Sequence, residues 1–229
     1  MTVRPTETPP SITHDAVVLA GGQATRLGGT AKARLVVDGE RLLDRALTAS
    51  GRAREVVVVG PPELADALTE APSSETPPSK APPDAVRHTP VLTREDPPFG
   101  GPAAGLAAGL RALTAPGAPW VLLLAVDVPY AAGAITLLEQ AVSREPVDGA
   151  YLVRAGRAQW LVGLYRRAAL DAALRGITTD GASMKHLVGG LHCVEVPDRA
   201  GWSDDIDTPA DAARLGATTG ETGGTTADN

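Results

Sequence analysis

Two glycines at the end of an apolar run are the first residues whose spacing suggests chemistry. The run, from Ala16 to Ala20, is short and continuous, which is typical of a strand buried on both faces of a parallel sheet. Gly21 and Gly22 follow it directly. Glycine permits positive φ and brings backbone N–H groups close to an anion, and ligands of such sheets bind beyond the carboxyl ends of the strands. The pattern predicts a strand that ends in a phosphate-binding loop.

Two cations follow these glycines, Arg26 and Lys32, and both could neutralise a phosphate. The segment is not a Walker A sequence, because no Ser or Thr follows Lys32. It is not a GxGxxG sequence either, because its glycines are paired rather than alternated. The alternative interpretation is an ordinary strand-to-loop turn with incidental charges.

The most apolar run of the chain, from Trp120 to Val126, ends on a carboxylate, Asp127. A charge at the exit of a central strand is costly in apolar surroundings unless it has a partner. Mg²⁺ on a nucleoside triphosphate would be such a partner, because magnesium prefers hard oxygen ligands. We therefore predict a metal-binding role for Asp127. The alternative is an N-cap for a helix predicted near Ala132 to Val142.

A second acidic cluster lies near the C-terminus, where Asp205 and Asp207 precede a helix that begins with a proline. Asp204 adds a third carboxylate. Close carboxylates repel each other, so a cation or a helix N-terminus must hold them together. Capping of the helix by Asp207 or Thr208 is the alternative to a metal site.

These segments, taken in order, resemble one known family. The loop from Leu19 to Lys32 matches the signature LAGGxxxRxGxxxK, the turn at Gly101 matches GPxAGL, Asp127 begins a DxP motif, and Asp205 begins DxDTPxD. Over about residues 15–215 the chain is similar to nucleotidyltransferases of the molybdenum cofactor guanylyltransferase type.

The resemblance implies a role for each matching residue. It implies catalytic roles for Arg26, Lys32 and Asp127. It implies that Mg²⁺ is the cofactor and that Asp127 holds it together with Asp207 first and Asp205 second. The nucleotide-binding residues that it implies are Leu19, Ala20, Gly21, Gly22, Arg26, Lys32, Gly101 and Pro102.

The chain departs from the family pattern at several positions. Ala31 stands where many members carry Asp before the lysine, and Trp160 replaces a proline before the segment LVGLYRR. The guanine-contacting Asn of the family has no counterpart after the second strand, in VVVVGPPE. The family's Asp ahead of the Gly-Pro turn is displaced to Glu95 or Asp96. The missing Asn and the displaced Asp leave the choice of nucleotide open, and the Ala31 departure leaves open a non-catalytic nucleotide-binding module.

The activity that the resemblance implies is the attack of an acceptor phosphate on the α-phosphorus of a nucleoside triphosphate, with release of pyrophosphate. GTP with molybdopterin is the favoured substrate pair. CTP with molybdopterin, a phospholactate or sugar-phosphate acceptor, and a non-catalytic nucleotide-binding regulatory module stay as alternatives. The expected partners are therefore the triphosphate and a small phosphorylated acceptor, and the resemblance adds molybdoenzymes or their chaperones.

The domain organisation follows from length and composition. A chain of 229 residues with 43% hydrophobic residues is compatible with one α/β domain, which we place at 15–215. The predicted fold is Rossmann-like, a three-layer α/β/α arrangement with a mainly parallel sheet. Polar tails at 1–14 and 216–229 and a Pro/Ser-rich insertion at about 72–85 are predicted to be disordered or exposed.

Charge and composition also exclude several classes of protein. A net charge of −6 argues against nucleic-acid binding, and the single Cys193 rules out an internal disulfide framework or a Cys-rich zinc site. No apolar run is long enough for a membrane span, and no secretory signal is visible, so the cytoplasm is the expected location. The four histidines have no spacing that suggests a metal site.

Further elements are predicted from the pattern. EVVVV, at 55–59, is a second buried strand, and a short or edge strand follows at 86–92 because Pro90 interrupts it. Two strands flank the turn Ala155–Gly156–Arg157, and a helix follows from about Arg167. Ser183 is a candidate N-cap for a later helix that carries Lys185 and His186 on its solvated face.

Overall fold

The computed structural model describes residues 12–21, 32–70 and 89–219. Short 3₁₀ helices cover Lys32–Arg34 and Ala131–Ala134. The strands are β1 (His14–Leu19), β2 (Leu35–Val37), β3 (Glu40–Arg41), β4 (Val56–Val59), β5 (Val91–Thr93), β6 (Trp120–Ala125), β7 (Gly149–Arg154), β8 (Arg157–Arg166), β9 (Cys193–Pro197) and β10 (Thr218–Thr219). The α-helices are α1 (Leu42–Ala49), α2 (Leu64–Thr69), α3 (Gly101–Ala112), α4 (Ile135–Arg144), α5 (Arg167–Arg175), α6 (Met184–Val188) and α7 (Pro209–Arg214).

Seven strands form the main sheet in the order β5-β4-β1-β6-β8-β7-β9. The pairs β4–β5, β1–β4, β1–β6 and β7–β9 are parallel, whereas β8 runs antiparallel to both of its neighbours. A small sheet of order β10-β2-β3 stands apart from it. The main sheet therefore has one reversed strand, and the prediction of a mainly parallel sheet is confirmed.

Alternate residues along the central strands face two separate apolar cores. Ala16 and Val18 pack with α1 and α4 on one side, and Val17 and Leu19 pack with α3, α5 and α6 on the other. Because β1, β4 and β6 are buried on both faces, they have continuous apolar sequences rather than alternating ones. The predicted three-layer α/β/α fold is thereby confirmed.

Glycines on one face of α3 let this helix lie directly on the sheet. A Cβ atom on Gly109 would come within 2.5 Å of Val17 Cγ1, and one on Gly105 within 3.2 Å of Leu19 Cδ2. A side chain at Gly109 would therefore force Val17 to move, whereas one at Gly105 would require Leu19 to give by a few tenths of an ångström. The close packing fixes the N-terminus of α3 relative to the carboxyl end of β1.

Several expectations for single elements are confirmed. β5 is short and lies at the edge of the sheet, and β7 and β8 form the predicted antiparallel pair around the turn at 155–157. Ser183 caps α6, since its hydroxyl accepts a hydrogen bond from the backbone N–H of His186. The C-terminal boundary differs from the prediction, because Thr218–Thr219 pair with β2 inside the region from 216 onward that we expected to be a tail.

That difference has a simple cause. Strand β10 is exposed and its two threonines give no apolar pattern, so it is held by backbone pairing that composition does not reveal. The N-terminal boundary differs as well, because His14, the last residue of the expected tail at 1–14, is buried and begins β1. The parts of the expected tails at 1–11 and 220–229, and the insertion at about 72–85, lie outside the described residues. Within the described part of the chain, none of the helices is both long and apolar enough to cross a membrane.

A buried histidine lies at the start of β1, at the opposite end of the strand from Gly21. His14 is 1% exposed, and its Nδ1 lies 3.0 Å from the carbonyl oxygen of Ile12, which requires Nδ1 to be the donor. Its Nε2 is buried and has no hydrogen-bond partner among the described residues. Burial has the largest effect on the pKa of His14 and lowers it. The Ile12 hydrogen bond and the charge of Asp15 raise this pKa and the charge of Arg52 lowers it, and the net shift is downward.

We expect this histidine to make folding stability depend on pH. Because its pKa is lower in the folded state than the ordinary 6.5, the unfolded chain binds the proton more readily, and stability falls as the pH drops below about 6.5. The loss should reach about 1 kcal/mol between pH 8 and pH 5.5. Urea unfolding at both pH values measures it. His14→Asn should reduce the difference between the two pH values, whereas His186→Asn, at an exposed position on α6, should not.

Candidate functional site

The carboxyl ends of the four parallel strands are joined by backbone hydrogen bonds that continue past the strands. Ala20 N–H donates to the carbonyl of Val59 at 2.8 Å, Val126 N–H donates to Leu19 at 2.9 Å, and Gly60 N–H donates to Thr93 at 2.9 Å. These bonds hold the first residues after each strand in one row. The edge at which ligands of parallel sheets bind is therefore rigid here.

A cavity of about 440 Å³ lies along this edge. Its lining begins at β5 and α3 and reaches the end of β6, so it crosses four strands. The residues that line it are Leu19, Ala20, Gly21, Lys32, Val59, Pro61, Glu95, Phe99, Gly101, Pro102, Gly105, Ala125, Val126, Asp127 and Leu161.

An ion-pair triad of Lys32, Asp127 and Asp207 stands at the β6 end of the cavity. The ammonium group of Lys32 lies 2.7 Å from Asp127 Oδ2 and also donates a hydrogen bond to Asp207 Oδ1. The side chains of Lys32 and Asp127 are 23% and 19% exposed, against 54% for Asp207. One cation therefore holds together two carboxylates that come from distant parts of the chain.

The charges in this triad shift the pKa values of the groups. Partial burial alone would lower the pKa of Lys32, but the charges and hydrogen bonds of Asp127 and Asp207 outweigh it and raise that pKa. Burial raises the pKa of Asp205, and the nearby charges of Asp207 and Asp127 raise it further. The site is therefore a focus of negative charge in which Lys32 is the neutralising cation.

The loop that carries Asp207 is built around one buried carboxylate, Asp198. Asp198 Oδ1 accepts hydrogen bonds from the backbone N–H groups of Ala200, Gly201 and Trp202, and Oδ2 accepts from the N–H and hydroxyl of Ser203. Burial would raise the pKa of Asp198, but these hydrogen bonds lower it below its ordinary value. The loop is therefore folded by its own internal bonds.

A backbone hydrogen bond connects this loop to the end of β6. The N–H of Ile206 donates to the carbonyl of Asp127 at 3.1 Å, and the Ile206 side chain is fully buried. Asp207 follows directly, and its side chain therefore reaches the ammonium group of Lys32. The neighbour Asp205 makes no ion pair within the described residues, so its role as a metal ligand stays a prediction.

Neither aspartate of the triad serves as a helix cap. Thr208 caps α7 in a capping box, in which its hydroxyl accepts from the N–H of Asp211 and the Asp211 carboxylate accepts from the N–H of Thr208. Tyr130, not Asp127, is the N-cap of the 3₁₀ turn at 131–134. The capping alternative is therefore wrong for Asp127 and for Asp207, whereas capping of the last helix by Thr208 is confirmed.

The donor set of the triad fits a divalent cation. Asp127 and Asp207 present hard oxygen ligands that already converge on one positive charge, and magnesium is commonly held by one or two carboxylates together with substrate phosphates. Among the described residues no group of three His, Cys, Asp or Glu side chains is arranged as a metal cluster. A metal at this place would have to replace the Lys32 ammonium between the two carboxylates.

The N-terminus of α3 forms the opposite wall of the cavity. Gly101 and Pro102 line it, and the preceding residue Gly100 provides no side-chain cap. Because Gly101 and Pro102 begin this twelve-residue helix, the positive end of its dipole lies at the cavity. Such a helix end attracts an anionic ligand.

Most predicted site residues lie in the cavity wall, as far as they lie in the described chain. Leu19, Ala20, Gly21, Lys32, Gly101, Pro102 and Asp127 all line it. Gly22, Arg26 and the departure at Ala31 lie outside the described residues. Of the two candidates for the displaced acid, Glu95 lines the cavity and Asp96 does not.

Sequence reasoning missed the apolar part of the lining. Val59, Pro61, Phe99, Gly105 and Leu161 carry no reactive group, and only the fold brings them together. Val59 ends β4, Gly105 lies in α3 and Leu161 lies within β8. A signal did exist for Val59 and Pro61, because they end the second buried strand, next in the sheet to β1. Phe99 is the single Phe of the chain and gave no periodic signal.

Trp160, which stands where the family pattern has a proline, packs against another aromatic ring. Its ring centroid lies 4.2 Å from that of Tyr151 at an interplanar angle of 48°, and both residues belong to the core beneath α3, α5 and α6. The Trp160 carbonyl accepts a hydrogen bond from the hydroxyl of the buried Tyr165. The next residue along β8, Leu161, is the one that lines the cavity.

Solved structures share this fold at low sequence identity. Molybdopterin-guanine dinucleotide biosynthesis protein A from Archaeoglobus fulgidus aligns with a TM-score of 0.60 at 20% identity, over 88% of this chain and 96% of that chain. The 2-C-methyl-D-erythritol 4-phosphate cytidylyltransferase from Thermus thermophilus aligns with a TM-score of 0.58 at 21% identity, over 89% and 97%. Both solved structures therefore share the fold of this chain, an α/β fold with a mainly parallel sheet.

Sequence comparison identifies the family to which the chain belongs. The family model for the MobA-like NTP transferase domain matches residues 16–194. A molybdenum cofactor guanylyltransferase from Acidiphilium cryptum (strain JF-5) is 32% identical over 209 residues, which are 88% of this chain and 94% of that protein. The chain belongs to the MobA-like NTP transferase family, which confirms the resemblance found in the sequence.

Proposed function

We propose that this protein transfers a guanylyl group from GTP to the terminal phosphate of molybdopterin and releases pyrophosphate. The observation that carries the proposal is the Lys32–Asp127–Asp207 triad at one end of a cavity whose opposite wall is a helix N-terminus. The guanylyltransferase name of the relative from Acidiphilium cryptum supports the choice of GTP and acceptor. The cytoplasm stays the expected location.

The phosphates would lie between Lys32, the backbone of Gly21 and the first turn of α3. All three line the cavity and offer positive charge or N–H donors. The Lys32 ammonium could move from the carboxylates to the phosphates, because the side chain that carries it is flexible. Its raised pKa keeps it protonated at neutral pH.

Magnesium would be held by Asp127 and Asp207 and would neutralise charge on the triphosphate. The residues of the chain do the positioning. In the transfer step an acceptor phosphate oxygen forms a bond to the α-phosphorus of GTP while the bond from that phosphorus to the bridging oxygen breaks. The bonding pair leaves with pyrophosphate, and Lys32 stabilises the charge that develops there.

Glu95 supports guanine as the base. Its carboxylate lines the cavity and accepts the Phe99 N–H at 3.0 Å with one oxygen, which leaves further lone pairs for a ligand. The Watson–Crick edge of guanine offers an N–H and an amino group side by side, which one carboxylate can accept together. This arrangement would compensate for the missing family Asn after the second strand.

The proposal is tested by product formation with matched nucleotides. Pyrophosphate release and dinucleotide formation are measured with molybdopterin and with GTP, CTP or ATP, and each reaction is repeated without acceptor. We expect GTP to give the highest kcat/KM, at least about tenfold above CTP. Faster reaction with CTP would make the protein a cytidylyltransferase. Nucleotide binding without pyrophosphate release from any acceptor would make it a regulatory module.

A further inference from the structure

Phe99 is unusual for its exposure and its place. It is 58% exposed, and it lines the cavity. Neither apolar core of the described chain includes it, so packing within the fold does not account for its ring. A large aromatic side chain that is exposed in a cavity is more informative than an exposed residue on a convex surface.

The backbone of Phe99 is held in a conformation that its side chain disfavours. Its φ is +66°, in the left-handed region that glycine adopts readily and bulky residues do not. Glu95 Oε1 holds the Phe99 N–H at 3.0 Å. On the other side, the carbonyl of Gly100 accepts the N–H of Gly181 at 2.8 Å. The turn is therefore fixed at both ends, and a phenylalanine is retained where glycine would fold with less strain.

A cation lies over the Phe99 ring. The guanidinium carbon of Arg94 lies 5.3 Å from the centroid of the Phe99 ring. Arg94 does not itself belong to the cavity wall that the described residues form. The contact therefore places a cation over one face of the ring and helps to orient it.

The position across the sheet shows which part of a nucleotide reaches Phe99. The ion-pair triad stands at the end of β6, and Phe99 follows β5. In the order β5-β4-β1-β6 these two strands are three positions apart. Three strand spacings amount to about 14 Å. A nucleotide whose phosphates lie near Lys32 and which follows the cavity across the strand ends would place its base at the β5 end. A flat aromatic surface there matches the face of a base.

We propose that Phe99 is the stacking surface for the base of the nucleotide, and that Glu95 holds Phe99 in place for it. This assignment rests on the function proposed above, and it names the residue that contacts the face of the base. Stacking is sequence-tolerant, because every base has a π-face. Phe99 should therefore contribute affinity for nucleotides in general, while the Glu95 carboxylate selects among their edges.

The experiment distinguishes binding of the base from binding of the phosphates. Calorimetric binding of Mg·GTP and of Mg·tripolyphosphate is measured for the wild type, Phe99→Gly and Phe99→Trp, together with the melting temperature of each protein. The control is Val91→Ala, which changes the other large exposed apolar side chain of the described chain. Phe99→Gly should bind GTP about tenfold more weakly, bind tripolyphosphate as the wild type does, and melt no earlier. Phe99→Trp should retain GTP affinity.

Three results would overturn the assignment. Wild-type GTP affinity in Phe99→Gly would show that the ring does not contact the base. A parallel loss of GTP and tripolyphosphate binding would show that Phe99 acts only by shaping the loop. A folded wild-type protein that binds tripolyphosphate but no nucleoside triphosphate would overturn the proposed function, and the stacking role with it.

Discussion

Lys32→Met is expected to lower the turnover of nucleotidyl transfer by about 10²- to 10³-fold. Methionine keeps a stem of similar length but loses the ammonium that bridges Asp127 and Asp207 and that would meet the phosphates. The apo protein should also lose about 1 kcal/mol of stability, because the two carboxylates then face each other without a cation. Water screens part of this effect at the half-exposed Asp207.

Steady-state pyrophosphate release and urea unfolding of the metal-free protein measure both effects. Lys185→Met is the matched control, since Lys185 is exposed on α6 and lies outside the cavity wall. It should keep wild-type turnover and stability. Wild-type turnover in Lys32→Met would remove this lysine from the reaction, whatever its effect on stability.

Asp127→Asn should reduce turnover by at least about 10²-fold and weaken the binding of Mg²⁺ or Mn²⁺. Its effect on apo stability should be smaller than that of Lys32→Met. The ion pair at 2.7 Å is lost, but repulsion with Asp207 is also lost, and Lys32 keeps Asp207 as a partner. From the sequence alone, relief of repulsion would be the only term, whereas the structure adds the opposing loss of an ion pair.

Calorimetry with Mn²⁺, pyrophosphate release and apo melting temperature are the three measurements for Asp127→Asn. Asp66→Asn, at an exposed position on α2 outside the cavity wall, removes the same charge and should leave all three unchanged. If Asp127→Asn is strongly destabilised but still turns over, the carboxylate is structural and the metal lies elsewhere. Asp207→Asn should behave like Asp127→Asn but more mildly, because Asp207 is the more exposed ligand.

The central strands could be predicted because each has a continuous apolar sequence. β1, β4 and β6 are buried on both faces, so composition alone identifies them. The expected strand at 55–59 and the expected strand at 120–126 each extend only one residue beyond the observed bounds. The strand β10 could not be found in this way, because it consists of two exposed threonines and is held by its backbone.

The triad illustrates what the sequence could and could not provide. Residue type and local motif identified Lys32, Asp127 and Asp207 individually. Their contact joins residues 95 and 175 positions apart, and it depends on β6 being the neighbour of β1. The end of the cavity that Phe99 lines was harder to predict from the sequence. Phe99 has no reactive group, and its role depends on an exposed ring at a positive φ.

The internal hydrogen bonds of Asp198 have a consequence for the entropy of substrate binding. A loop that becomes ordered only around its ligand loses conformational freedom at that moment, and the loss weakens binding. The segment from Asp198 to Ser203 is instead ordered by the carboxylate of its first residue, before any ligand arrives. The conformational entropy of this segment is therefore lost during folding and not during binding. Asp207 is held in place before a cation arrives, and the affinity for the cation is not weakened by ordering this segment.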